Sequence, residues 1–162
     1  MKALILTLST LFLANLAYAY PKVGDYIQVL GSERAADGST VDSILELEIV
    51  SMDSRTGRVD IKTTQEAAGQ KTVSMRESHI DDMYTPDMMK TILKNCAKMG
   101  GVYAPVDVVA GRFNACTLVD EREPGHRVTY VYADVPFGLA QMIEERDGGV
   151  RHFQLAKIRR GN

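Results

Sequence analysis

The sequence predicts a mainly β protein of the α+β class: a curved antiparallel sheet, or open, incomplete barrel, of about nine strands wrapping one α-helix. Three observations point there. Segments of strict apolar–polar alternation are separated by short Gly-, Asp- and Pro-containing turns. The early connections are too short for parallel crossovers. A single stretch, Thr85 to Gly101, has helical spacing with start and stop signals at its ends.

Residues 1–19 are read as a cleaved signal peptide. Met1-Lys2 is a positive start, an apolar run spans 3–14, and Ala17-Tyr18-Ala19 is a small-x-small cleavage site. A membrane anchor is the weaker reading, because the run is short of the roughly 20 residues a span needs and Asn15 follows it. No cysteine near the cleavage point offers a lipid acceptor. The expectation is an exported, soluble chain, periplasmic or extracellular, with residues 20–162 forming one β-rich domain and no transmembrane segment.

The first strand is expected at Tyr26–Leu30, then a mobile, small-residue loop from Gly31 to Thr40. In Ile44–Ile49, Leu45, Leu47 and Ile49 share one face, and Glu46 and Glu48 the other, read as solvated. Asp53–Gly57 is a hairpin loop, Arg58–Thr63 the third strand, and Lys71–Glu77 the fourth, with Val73 and Met75 inward. Thr85 then caps a helix near 86–99, Pro86 suits its first position, and Asp87 favours its N-terminus. Met89, Ile92, Leu93 and Cys96 make its apolar stripe, and Gly100-Gly101 ends it. Val102–Val109 contains Pro105, which suits an irregular or edge strand. Arg112–Val119, Arg127–Ala133, Phe137–Glu145 and Val150–Ile158 complete the set, with Pro136 as a break.

Export makes the two cysteines, Cys96 and Cys116, a disulfide; the alternative is two reduced thiols. Phe113 and Cys116 have opposite strand parity, so a bulge, or a helix end reaching around an edge, is expected between them.

Ala110-Gly111-Arg112-Phe113-Asn114-Ala115-Cys116, Asp134-Val135-Pro136-Phe137-Gly138 and Lys22-Val23-Gly24-Asp25-Tyr26 carry a resemblance. The chain resembles a poorly characterised group of small exported bacterial β-proteins. In layout it is similar to lipoprotein-carrier-like periplasmic domains, whose incomplete barrel folds over a helix. The resemblance implies a fold and a location, and it carries no catalytic residues.

The net charge of −2, with scattered basic residues, excludes a nucleic-acid partner. His79, His126 and His152 are separated and no nucleophile motif accompanies them, so no enzyme activity, catalytic residue or cofactor is expected. His79-Ile80-Asp81-Asp82 lacks a full ligand set, so no metal is expected either. Met75, Met88, Met89, Met99 and Met142 are placed near the helix–sheet interface, where methionine packs adaptably. The expected role is non-enzymatic binding of an apolar or amphipathic, lipid-like ligand between helix and sheet, with Met89, Ile92, Phe113 and Leu139 as pocket lining. The alternative is a protein–protein interaction or structural module of the cell envelope with no cavity, its partner unknown.

Overall fold

The computed structural model describes residues 21–161. The expected leader, 1–19, lies outside them. The strands are β1 (Tyr26–Arg34), β2 (Thr40–Asp53), β3 (Arg58–Ala67), β4 (Gln70–His79), β5 (Val102–Val108), β6 (Gly111–Glu123), β7 (His126–Ala133), β8 (Leu139–Arg146) and β9 (Gly149–Arg159). They form one open antiparallel sheet in the order β4-β3-β2-β1-β9-β8-β7-β6-β5. The first and last strands of the chain's sheet, β1 and β9, therefore meet in its middle, and β4 and β5 are its edges.

The helix α1 (Pro86–Asn95) continues as a 3₁₀ turn, Cys96–Met99. Its boundaries follow local chemistry. The Thr85 hydroxyl accepts from the Met88 N–H at 3.2 Å, satisfying a donor that the first turn leaves free. Gly100 closes it with φ of +79°, where a side chain would be strained. Met89 is its buried residue, and the helix packs over β6 and β7.

Half of the expected loop from Gly31 to Thr40 is strand. Nine β1 residues pair with β2, down to Arg34 opposite Thr40, and only 35–39 turn. Ladder hydrogen bonding overrides the small, polar composition that suggested a loop. Glu46 and Glu48 are also more engaged than a solvated face implies. Glu46 accepts from the Tyr26 hydroxyl and the Gln28 amide, each at 3.0 Å, and Glu48 pairs with Arg159 at 2.7 Å. Burial and the Glu46 hydrogen bond push the Tyr26 phenol up to about 12.

Two apolar clusters fill the interior. One joins Ile27, Ala115, Val131, Ala133, Val135, Ala140 and Leu155. The other joins Ile49, Val59, Ile61 and Met83. Phe137 packs against both. The chain ends are fastened by Asp25, which is buried and accepts from the Lys22 N–H at 2.9 Å and the Gly161 N–H at 2.8 Å.

Cys96 and Cys116 are disulfide-bonded, tying the end of the helix to β6. The parity of Phe113 and Cys116 is resolved without the expected bulge or edge detour. The β5–β6 register runs unbroken from Val108↔Gly111 to Val102↔Thr117. Phe113 and Ala115 face the first cluster, Cys116 faces the helix end, and Ala115 and Cys116 are both fully buried. Both faces of this strand are covered, so opposite parity costs nothing.

Val73 and Met75, expected inward, are 59% and 61% exposed. The other face of β4 is no better covered: of its ten residues only Ser78 is even half-buried. Of the five methionines placed at the helix–sheet interface, Met89 is buried there, whereas Met75, Met88 and Met99 are exposed.

Candidate functional site: an apolar cleft beside a charged cluster

Alternation on β1 and β2 sends Ile27, Val29, Leu45 and Leu47 to one face, and the register sets Val29 beside Leu45 and Ile27 beside Leu47. On the other side of β1, Val29 pairs with Leu155. β8 and β9 add Met142 opposite Phe153. In a fully continuous sheet these side chains would be covered by close neighbours. Here β8 leaves β9. Their pairing stops at Gln141↔Gln154, and the β7–β8 register shifts between Val131 and Tyr132. The Leu155 carbonyl, just past that point, accepts instead from the Ala110 N–H at 3.0 Å, contributed by the β5–β6 turn. The opened space is a cleft of about 290 Å³ walled by these side chains with Phe137 and Leu139.

Phe137 is held there by an uncommon backbone. Its φ is +62°, left-handed for a bulky residue, and Gly138 follows at +74°. Such a conformation costs on the order of 1–3 kcal/mol and persists only where its surroundings impose it. Three short-range hydrogen bonds do so: Val135 N–H to Ala133, Gly138 N–H to Val135 and Ala133 N–H to Gly138. A Cβ at Gly138 would lie 2.7 Å from Tyr84, so glycine also lets the helix lead-in approach.

The cleft changes character abruptly along three strands. Two residues beyond Val29, Gly31 stands opposite Phe153; a Cβ there would meet the Phe153 ring at 2.8 Å. Two residues further, on the same face, come Glu33 and Arg151, paired with each other in register and at 3.1 Å by side chain. β8 follows the same sequence: Met142 opposite Phe153, then Glu144 opposite Arg151 at 3.6 Å. Glu144 also meets His126 Nε2 at 2.9 Å, and that pair is largely buried. A polar hollow of about 360 Å³ lies over Glu33, Glu144, Arg146 and Arg151. One pleat repeat on β8 and β9, about 7 Å, and two on β1 thus separate an apolar floor from a charged one.

Of the four lining residues expected from the sequence, Leu139 lines the cleft. Met89 and Ile92 lie on the helix, buried and half-buried, and Phe113 packs against the first core cluster. The structure does not bring these four together. The residues that reasoning from sequence missed, Val29, Leu47, Phe137 and Phe153 among them, carried a partial signal in the strict alternation of β2 and in Val135-Pro136-Phe137-Gly138. Among the described residues no group of three or more His, Cys, Asp or Glu side chains is arranged to hold a metal ion, and no helix is long and apolar enough to cross a membrane.

No protein-family model matches the chain, and no curated protein matches it significantly in sequence. Solved structures do match in fold. A protein described as exported, with a YmcC-like fold, from Bacteroides fragilis NCTC 9343 aligns with a TM-score of 0.51 at 12% identity, covering 89% of this chain and 100% of that one. A protein described as a lipoprotein from Parabacteroides distasonis ATCC 8503 aligns at 0.52 and 8% identity, covering 86% and 97%. MucB, solved in complex with MucA(peri), aligns at 0.49 and 13% identity, covering 86% of this chain and 51% of that one. What the chain shares with the first two is the fold.

Proposed function

We propose that this chain is an exported, non-enzymatic binding protein for an amphipathic ligand, whose apolar chain enters the cleft and whose polar end lies at Glu33, Arg151 and Glu144. The observation that carries this reading is the in-register change from Val29, Met142 and Phe153 to Glu33, Glu144 and Arg151 on one face. A cleft of about 290 Å³ is at the lower end of small-molecule sites, the size for one hydrocarbon chain rather than a bulky ring system. The leader-like residues 1–19 and the described nature of the two fold neighbours support export. The pocket so defined includes Leu139 from the sequence-based lining and leaves out Met89, Ile92 and Phe113.

The test is fluorescence titration with cis-parinaric acid, a fluorescent fatty acid that carries no ring. Saturable binding is expected, weakened at least tenfold by Val29→Trp, which fills the cleft, and unaffected by Val73→Trp, which lies outside it. Absence of saturable binding, or equal binding by both variants, overturns the reading.

A further inference from the structure

β4 is an edge strand guarded by charge alone. Edges are commonly blunted by charged side chains, proline, bulges, short length or a covering element. The other edge, β5, has three of these besides charge: it is seven residues long, it carries Pro105, and the 3₁₀ turn packs beside it. β4 runs for ten residues in unbroken register with β3, has no proline, and borders no further strand among the described residues. Its outer backbone groups therefore have no ladder partner among those residues.

The side chains around this edge select a partner. Val73 and Met75 stand exposed on one face, 59% and 61%, with Lys71 beside them and Lys62 of β3 directly opposite Met75. Arg76 lies on the other face. Lys62, Lys71 and Arg76 have no hydrogen bond or ion pair among the described residues. Glu77, the acid of this strand, is paired with Arg58 at 3.2 Å, as is Asp60. Glu66, opposite Lys71, is the remaining acid of the β3–β4 ladder. In a protein of net charge −2, this edge presents a local excess of unpaired cations flanking two exposed apolar side chains.

We propose that the free edge of β4 takes up an extended acidic segment of another protein as an added strand. The segment's backbone completes the ladder; on one of its faces a carboxylate and two apolar side chains follow Lys71, Val73 and Met75 in register, and on the other a carboxylate meets Arg76. Strand addition draws affinity from main-chain hydrogen bonds and specificity from alternate side chains, which is the pattern β4 displays. This surface is separate from the cleft and stands whether or not the cleft binds a ligand.

The experiment uses the protein from Tyr20 onward, isotopically labelled, with two capped, dye-labelled octapeptides: Thr-Glu-Val-Thr-Val-Thr-Glu-Thr, which sets valines beside Met75 and Val73 and glutamates beside Arg76 and Lys71 when paired antiparallel, and the same peptide with lysine in place of glutamate. Binding is followed by fluorescence anisotropy and by hydrogen exchange of the β4 amides. The glutamate peptide is expected to slow exchange along β4, and to bind at least tenfold more tightly than the lysine peptide. The double charge reversal K71E/R76E, on an exposed strand, should weaken it about tenfold, as loss of two surface ion pairs with reversal allows. Equal binding of both peptides, indifference to K71E/R76E, or unchanged β4 exchange overturns the proposal. So does a concentration-dependent dimer whose β4 amides are already protected, which would make a second copy the occupant.

Discussion

β6 and β4 are both long antiparallel strands with unbroken registers to the hairpin partner beside them, yet they have opposite fates. β6 has Phe113 and Ala115 against the first core cluster on one face and Cys116 bonded to the helix end on the other. β4 has neither face covered. The difference does not lie in hydrophobic content alone, since β4 carries Val73 and Met75. It lies in what topology delivers to each face. The helix and its 3₁₀ extension reach β6, whereas β4 sits at the far edge, three strands from the middle of the sheet. A strand's alternation states that its two faces differ; only the rest of the fold states which face, if either, is covered.

That contrast can be broken most severely at the disulfide. The Cys96–Cys116 bond closes a loop of sequence separation 20, and removing it should cost about 3 kcal/mol, near 10 °C in melting temperature for a chain of this size. Thermal melts of wild type with and without reductant, and of the C96A/C116A double variant, measure it. Reduction that leaves the melt unchanged would show that packing alone holds the helix end on β6.

The other face of β6 gives the next effect. Ala115 lies opposite Ala133 and joins Ala140 in the same cluster, three small residues where β6, β7 and β8 approach closely. Ala115→Leu should destabilise by about 1–3 kcal/mol through overpacking, read as a lower urea midpoint at unchanged slope. Full wild-type stability in that variant would mean the site has slack that its complete burial hides.

The helix was legible in sequence because its determinants are local: Thr85, Pro86 and Gly100 act within one turn of where they stand. The nine strands were legible from alternation and turn residues, except where ladder pairing extended β1 through Gly31 to Arg34 against its composition. Two features were beyond local reading. The exposure of Val73 and Met75 depends on strand order, which places β4 at an edge. The cleft depends on a register shift between Val131 and Tyr132 and on the left-handed φ of Phe137, neither of which residue types announce. Leu139 follows that loop directly and lines the cleft; Val29 and Phe153 could not be placed beside it from sequence, because their meeting requires the first and last strands of the sheet to pair.

A smaller effect, visible only in alkali, comes from the helix side of the sheet. Tyr132 stands opposite Cys116, and its phenol is pushed above the ordinary range by burial and then by the hydrogen bond its hydroxyl shares with that of Tyr84 at 3.4 Å. The folded state favours the neutral phenol. Its stabilising contribution is therefore complete below about pH 10, where the unfolded tyrosine titrates, and is lost as pH rises above that value. Absorbance titration of phenolate should show Tyr132 ionising late, and Tyr132→Phe should flatten part of the stability loss above pH 10. An early titration of this residue would place it in water rather than beneath the helix lead-in.

The least effect belongs to β4, and its smallness sharpens the contrast. Val73→Thr with Met75→Thr removes two large apolar side chains from a strand, a change that in β6 would be severe. Both residues are more than half exposed, and threonine keeps a good strand preference, so stability should move by less than about 0.5 kcal/mol. A urea transition of the double variant measures this directly. A loss of 2 kcal/mol or more would mean that these side chains are covered in solution by something the monomer lacks, and β4 would then resemble β6 in being a covered strand. With stability unchanged, the apolar pair has no folding role, and its presence on an uncovered edge is left to be explained by a partner. The same variant should weaken the glutamate–valine peptide, which separates a surface kept for binding from one merely tolerated.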